Sequence, residues 1–361
     1  MSYIVPIGPY HPALEEPIHT KLYTEGEVIK DAEVYVGYNH RGIEKLAEEK
    51  NVIQTLVLVE RVCGICSHSH AFTYALAVEK INQVEVPKRG EYMRVITAEL
   101  ERLHSHLLWA GIACHIIGHD SLFMHIWDVR EVIMDMLESL SGNRVNYGMV
   151  TIGGARRDVS DDMRREFLAN LKACVPIVDR IVEICLNDKT IAMRTQGVGV
   201  MKTEDALRLG AVGPHARASN VDIDIRRDSP YSAYADFEFK VPVWPSCDVF
   251  ARVVVRALEC YESVGILIQA LENLPEGPIN TGGRKLPKIM EGACVTRHEA
   301  PRGQLSYKVV GNGSLTNHRV SIHVPSYKNT PTVPFMLRDN TISDAGLIIA
   351  SIDPCFSCLD R

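Results

Sequence analysis

The chain has 361 residues, 46% hydrophobic and 23% charged, an ordinary globular composition with enough apolar surface for a core. Its net charge is −6, and no run of Lys and Arg could track a phosphate backbone, which argues against nucleic acid as a partner. The start, MSYIVPIGPYHPALEEP, lacks the layout of a secretory signal, and the most apolar helical stretch, LLWAGIACHII (107–117), is too short to span a bilayer.

Residues 1–40 read as extended, because apolar and polar residues roughly alternate in EGEVIKDAEVYVGY. From Gly42 to about Gly118 the pattern is helical. Ile96, Leu100, Leu103, Leu107 and Leu108 form one stripe of a helix predicted over 91–117. Ser160, followed by Asp161 and Asp162, is expected to cap a further long helix with Met163, Phe167, Leu171, Cys174, Val178 and Ile181 inward. Cys247 to Leu274 reads as another, stopped by PEGP. After it, Gly and Pro become frequent and short β-type runs such as HRVSIHVP appear. The expected fold is mainly α with additional β (α+β): a long-helix bundle with β structure at the N- and C-terminal regions. It is read as a single domain over 1–361, with a β-rich N-terminal region (1–40), a helical bundle (41–275) and a C-terminal region (276–361) that holds the second cysteine pair.

Ten cysteines are many, yet a chain of this size with no secretory signal does not read as a disulfide framework. Cys114, Cys174, Cys185, Cys247, Cys260 and Cys294 stand alone among apolar residues, where free cysteine packs as a small hydrophobe. The others form two C-x-x-C pairs, Cys63/Cys66 and Cys355/Cys358. Gly64 allows a tight turn within the first pair, which is predicted to open a helix, where the dipole favours thiolate. Pro354 stiffens the approach to the second. Two pairs make a four-thiolate site, which selects soft metals. Structural zinc usually keeps its pairs close in sequence, whereas these lie at opposite ends; on spacing alone zinc and a redox-active metal both remain.

RVCGICSHSH and DPCFSCLDR closely resemble the two signature motifs of nickel–iron hydrogenase large subunits. HRGIEK (40–45), GPYHPALEEP (8–17), GPHARASN (213–220), SPYSAY (229–234), LPEGPI (274–279) and EAPRG (299–303) resemble blocks shared by energy-converting, membrane-bound hydrogenases and the homologous 49 kDa subunit of respiratory complex I. The resemblance implies reversible reduction of protons to dihydrogen. It implies nickel on Cys63, Cys66, Cys355 and Cys358, with Cys66 and Cys358 bridging to an iron that carries carbon monoxide and cyanide. Cys355, bound terminally like Cys63, would be a first proton acceptor. Glu16 resembles the family's proton-relay glutamate, with Glu15 as the alternative register. Glu44 resembles a carboxylate that binds magnesium or another ion; here Arg361 stands where relatives often end in histidine, and its guanidinium could pair with Glu44 instead. His70 resembles the histidine that bonds a bridging thiolate. Arg302 resembles the arginine over the diatomic ligands, a plain salt bridge being its other reading. Gln304 stands where relatives often have glutamate.

No clustered cysteines remain for an iron–sulfur chain, so the resemblance implies a small subunit carrying a [4Fe–4S] cluster. It further implies membrane-embedded ion-translocating subunits, electron exchange with ferredoxin, and a place on the cytoplasmic side of the cell membrane. The alternative is a non-catalytic, complex I-like quinone-site or scaffold subunit whose cysteines hold zinc.

Overall fold

The computed structural model describes residues 2–10, 16–282 and 288–361. The N-terminal stretch forms an antiparallel sheet in the order β1 (Ser2–Ile7), β2 (His19–Glu25), β3 (Val28–Tyr35), as the alternation predicts. Two short helices follow, α1 (Ile43–Glu49) and α2 (Val52–Glu60). Asn51 starts α2 with a capping box shared with Gln54. A loop carries the first cysteine pair into α3 (Ser67–Asn82).

The long helices set the frame. The 30-residue α4 (Lys88–Ile117) is buried almost all round, so it runs through the interior rather than along the surface. It packs against α5 (Asp120–Ser141) and against α11 (Val249–Glu272). The sequence reading misses α5, although Leu122, Ile126, Val129, Ile133, Met136, Leu137 and Leu140 give it a clear inward stripe. Each such side chain, removed from water, contributes about 1.5–3 kcal/mol. The predicted cap at Ser160 forms, its side chain accepting from Met163 N at 3.3 Å to open α6 (Asp161–Asn187). Asp248 caps α11, accepting from Ala251 N at 2.8 Å.

Short elements link these. A two-stranded ribbon joins β4 (Val150–Thr151) to β5 (Gly154–Ala155). Helices α7 (Lys189–Thr195), α8 (Thr203–Leu209), α9 (Gly213–Arg217) and α10 (Ile225–Asp228) precede α11. Beyond it, β6 (Gly292–Ala300), β7 (Gly303–Gly311) and β8 (Arg319–His323) form an antiparallel sheet against α3. The chain ends through α12 (Pro325–Asn329), α13 (Val333–Leu337), α14 (Ala345–Ser351) and α15 (Phe356–Asp360). Among the described residues, no helix is long and apolar enough to cross a membrane.

Candidate metal centre

Two segments far apart in the sequence meet at the first turns of α3 and α15. Cys66 is the N-cap of α3 and Cys355 the N-cap of α15, with Cys63 in the preceding loop and Cys358 inside α15. Cys63 Sγ lies 3.4 Å from Cys355 Sγ, Cys66 Sγ 3.3 Å from Cys358 Sγ, and Cys355 Sγ 3.2 Å from Cys358 Sγ. None forms a disulfide, and each residue is at most 5% exposed. The Sγ atoms of Cys63, Cys66 and Cys358 fall within 4.8 Å of one another.

Four thiols drawn together without bonding fit a soft metal ion. Hydrogen bonding from Cys355, Cys358 and Cys66, with the Arg302 guanidinium, holds the Cys63 thiol well below the usual range, while burial holds Cys358 well above it. Ile65 N and Cys66 N also donate to Cys63 Sγ, at 3.2 and 3.4 Å. Without a cation the cluster keeps protons because four buried thiolates repel; a divalent metal would release them.

Several groups hold the two pairs in register. Arg41 donates to the carbonyls of Arg61 (2.9 Å) and Val62 (2.9 Å), just before Cys63, and to Ser357 O (2.6 Å), between Cys355 and Cys358. One guanidinium thus ties both cysteine segments together. Gly37 N and Asn39 N donate to Asp360 at 2.8 and 2.9 Å, and His40 Nδ1 lies 2.7 Å from Asp360 O. Glu16 caps α15: its carboxylate accepts from Phe356 N, from Ser357 N at 3.2 Å and from Ser357 Oγ at 2.6 Å. Glu15 lies outside the described residues.

His70, one turn into α3, places Nε2 3.4 Å from Cys358 Sγ and Nδ1 2.6 Å from Tyr307 Oη. Burial lowers its pKa to about 4, so the ring is neutral near pH 7. With a thiolate at Cys358, Nε2–H donates to sulfur and the Tyr307 hydroxyl donates to Nδ1.

Arg302 sits in the turn between β6 and β7. It donates to Asp353 O (2.9 Å) and Ser105 Oγ (3.2 Å), and pairs with the Asp353 carboxylate at 2.7 Å. The salt-bridge reading is therefore present: against the penalty of burial, Asp353 and then the charges of Cys355, Cys66 and Cys63 raise its pKa. The turn is seated on α9. A Cβ on Gly213 (φ +66) would stand 2.4 Å from Gly303 Cα and 2.5 Å from Arg302 O, so only glycine allows this approach. Gln304 faces Glu299 across the β6–β7 pair.

Glu44 is fully engaged. Its Oε1 accepts from Arg361 Nε (3.0 Å) and Ile322 N (2.9 Å), and its Oε2 from Arg319 Nη2 (3.0 Å). Two guanidinium groups around one carboxylate do not fit a divalent cation, which would need that oxygen and meet two positive neighbours. The pairing with Arg361 is the alternative the sequence offers.

Beside the cradle lies a buried ionic network. Glu99 pairs with Arg102 (3.2 Å) and Arg226 (3.3 Å); Arg217 pairs with Glu259 (2.7 Å) and Glu299 (2.9 Å); Arg226 pairs with Asp224 (2.7 Å). Arg102 also donates to Ala300 O at 3.2 Å and Glu299 O at 2.5 Å, bracing the strand end that leads to Arg302. Sequence reasoning misses this network, and misses Arg41, Tyr307 and Asp353. Arg41 sits in the same block as Glu44, and Asp353 stands two residues before Cys355; for Tyr307 there is no local signal.

Residues 117–289 and 283–361 match the family described as respiratory-chain NADH dehydrogenase, 49 Kd subunit, and residues 41–110 match the nickel-dependent hydrogenase family. The carbon monoxide-induced hydrogenase of Rhodospirillum rubrum is 39% identical over 100% of this chain and 99% of its own length. The membrane-bound hydrogenase subunit alpha of Pyrococcus furiosus is 42% identical over 99% of this chain and 87% of its own. A chain of the membrane-bound sulfane sulfur reductase, an archaeal respiratory membrane complex, superposes with a TM-score of 0.95 at 29% identity, covering 100% of this chain and 98% of that one. The chain therefore belongs to the family that joins the complex I 49 kDa subunit and the large subunit of nickel–iron hydrogenases.

Proposed function

We propose that this chain is the catalytic subunit of a membrane-associated nickel–iron hydrogenase, interconverting two protons and two electrons with dihydrogen. The observation that carries this is the meeting of Cys63, Cys66, Cys355 and Cys358, unbonded and buried, with His70 aimed at Cys358. Cys63, Cys66, Cys355 and Cys358 would hold nickel and an iron bearing carbon monoxide and cyanide, and that metal pair would supply a Lewis-acidic site for heterolytic cleavage of the H–H bond.

The protein's own groups then have these roles. A terminal thiolate, Cys355, takes the proton first. Glu16, bonded to the residue after Cys355, receives it and leads it outward. His70, its tautomer fixed by Tyr307, donates to Cys358 and tunes the sulfur's electron density. Arg302, anchored by Asp353, presents positive charge over the site. Arg41 keeps the two cysteine segments in register.

Electrons would pass to a [4Fe–4S] cluster on a small iron–sulfur subunit and be exchanged with ferredoxin. Membrane-embedded partners on the cytoplasmic side would couple the reaction to ion translocation. The relative named as membrane-bound hydrogenase subunit alpha supports a membrane setting. The second reading, a complex I-like scaffold with zinc on the cysteines, is favoured by the long match to the 49 kDa family. Elemental analysis with infrared spectroscopy decides. Nickel and iron together with metal-bound carbon monoxide and cyanide bands are expected; zinc alone would overturn the hydrogenase reading.

A further inference from the structure

A carboxylate with no cation lies under the cradle. Glu101 of α4 is 0% exposed and accepts from His68 N at 2.7 Å, Ser69 N at 3.0 Å and Ser69 Oγ at 2.5 Å. Both amides belong to the first turn of α3, directly after Cys66. The other buried glutamates among the described residues each meet arginine: Glu60 with Arg61, Glu79 with Arg94, Glu99 with Arg102 and Arg226, and Glu259 and Glu299 with Arg217. Glu101 has no such partner. A helix N-terminus favours an anion, yet burial without a counter-charge outweighs it and pushes the carboxyl up to about 8, with the charge on Cys63 acting in the same direction. Tyr147, from the segment after α5, also faces it electrostatically.

The bonds beyond Glu101 form a line. His298 Nε2 of β6 lies 3.1 Å from Ser69 Oγ, and His298 Nδ1 is buried with no partner. The imidazole packs tilted against Phe72 and Tyr231, each with ring centroids 5.2 Å apart. Tyr231 and Thr296 line an open groove of about 890 Å³ between α3, the start of α4 and β6.

We propose that Glu101 holds and exchanges a proton beside the thiolate cradle, reached from this groove by a relay through His298 and Ser69. In the ionised state His298 Nε2–H donates to Ser69 Oγ, and Ser69 O–H donates to the carboxylate. A proton arriving at bare Nδ1 lets the Nε2 proton pass to Ser69 and the Ser69 proton pass to Glu101. The loaded state has the line reversed: the carboxylic acid donates to Ser69 Oγ, Ser69 donates to Nε2, and Nδ1 carries hydrogen. One proton enters and one is gained by Glu101, with no other bond changed. The helix-capping role alone would be served by any acceptor; the unpaired burial and the orphan Nδ1 are what a cap does not need.

The use of this proton in turnover rests on the hydrogenase reading; the proton site itself does not. The test is an infrared pH titration of the assembled complex between about pH 6 and 10, with wild type beside Glu101→Gln. Glutamine keeps an acceptor oxygen for the His68 and Ser69 amides, so the cap survives. A protonated-carboxyl C=O band is expected that fades with rising pH, shifts in D₂O and is missing from Glu101→Gln. In a complex holding nickel and iron, Glu101→Gln and Ser69→Ala should slow hydrogen–deuterium exchange at least about tenfold, with the carbon monoxide and cyanide bands unmoved and Glu101→Asp recovering part of the rate. A spectrum with no band assignable to Glu101 overturns the proposal, as does exchange at the wild-type rate in both Glu101→Gln and Ser69→Ala. The carboxyl band in a complex without nickel and iron would sink the hydrogenase reading and support the proton site.

Discussion

The thiolate cradle and the ionic network next to it are both buried, polar and assembled from distant segments, but they are completed in opposite ways. In the network each carboxylate meets guanidinium: Glu99, Asp224, Glu259 and Glu299 are closed by Arg102, Arg217 and Arg226. In the cradle four thiols meet one another, with no carboxylate–guanidinium pairing among them and the Arg302 guanidinium nearby. A buried polar cluster that closes on itself serves the fold, whereas one left short of positive charge invites a ligand.

The largest expected effect separates the two outright. Cys355→Ser should abolish metal loading, read by elemental analysis, while the melting temperature of the metal-free protein stays near wild type. A variant that still binds stoichiometric nickel would erase the distinction. Arg217→Met should do the reverse: it strands Glu259 and Glu299, costing about 3–5 kcal/mol in denaturant titrations. Acid should find the network as well. Glu99 is held at about 2, its buried charge stabilised against the burial penalty by Arg102 and Arg226. Because its folded pKa lies below the unfolded one, its contribution is present above about pH 4.5 and is lost as pH falls towards 2, amounting to about 3 kcal/mol. A shallower loss of stability across that window in Arg226→Met than in wild type, with Arg102 still on Glu99, would sharpen the assignment. His70→Gln touches the cradle more gently: under the hydrogenase proposal the expected result is a loss of about 10–100-fold in activity with shifted carbon monoxide and cyanide bands. Smallest is Arg361→Ala. The pair is about one-fifth exposed and Arg319 remains on Glu44, so about 0.5–1 kcal/mol is expected by thermal denaturation.

What the sequence discloses follows the same division. The cradle is local twice over, since each C-x-x-C pair announces itself and only their meeting is long-range. Hence Cys63, Cys66, Cys355, Cys358 and the neighbouring His70 could be named before any coordinates. The long helices around α4, α6 and α11 are legible from caps and stripes such as Ser160 and Phe167/Leu171. The α5 helix has such a stripe too, but Gly118 and His119 break the pattern just before it. The network is illegible because its members are scattered over α4, α9, α10, α11 and β6; a lone Glu or Arg on a helix reads as solvated surface until tertiary packing buries it. Arg41 escapes for a related reason. It binds backbone carbonyls, and no side-chain pairing marks such a partner in a sequence.

That choice of partner has a consequence for timing. Arg41, Glu16 and the 37–40 segment hold α15 through its main chain and through the Ser357 and Asp360 side chains, and five residues of helix do not persist unsupported. Helix α15 is thus a clasp: until it seats, Cys355 and Cys358, half of the sulfur donors, are not in place. An ion held by all four sulfurs is gripped for as long as this clasp stays shut, so its retention depends on how firmly these bonds seat α15 as well as on affinity.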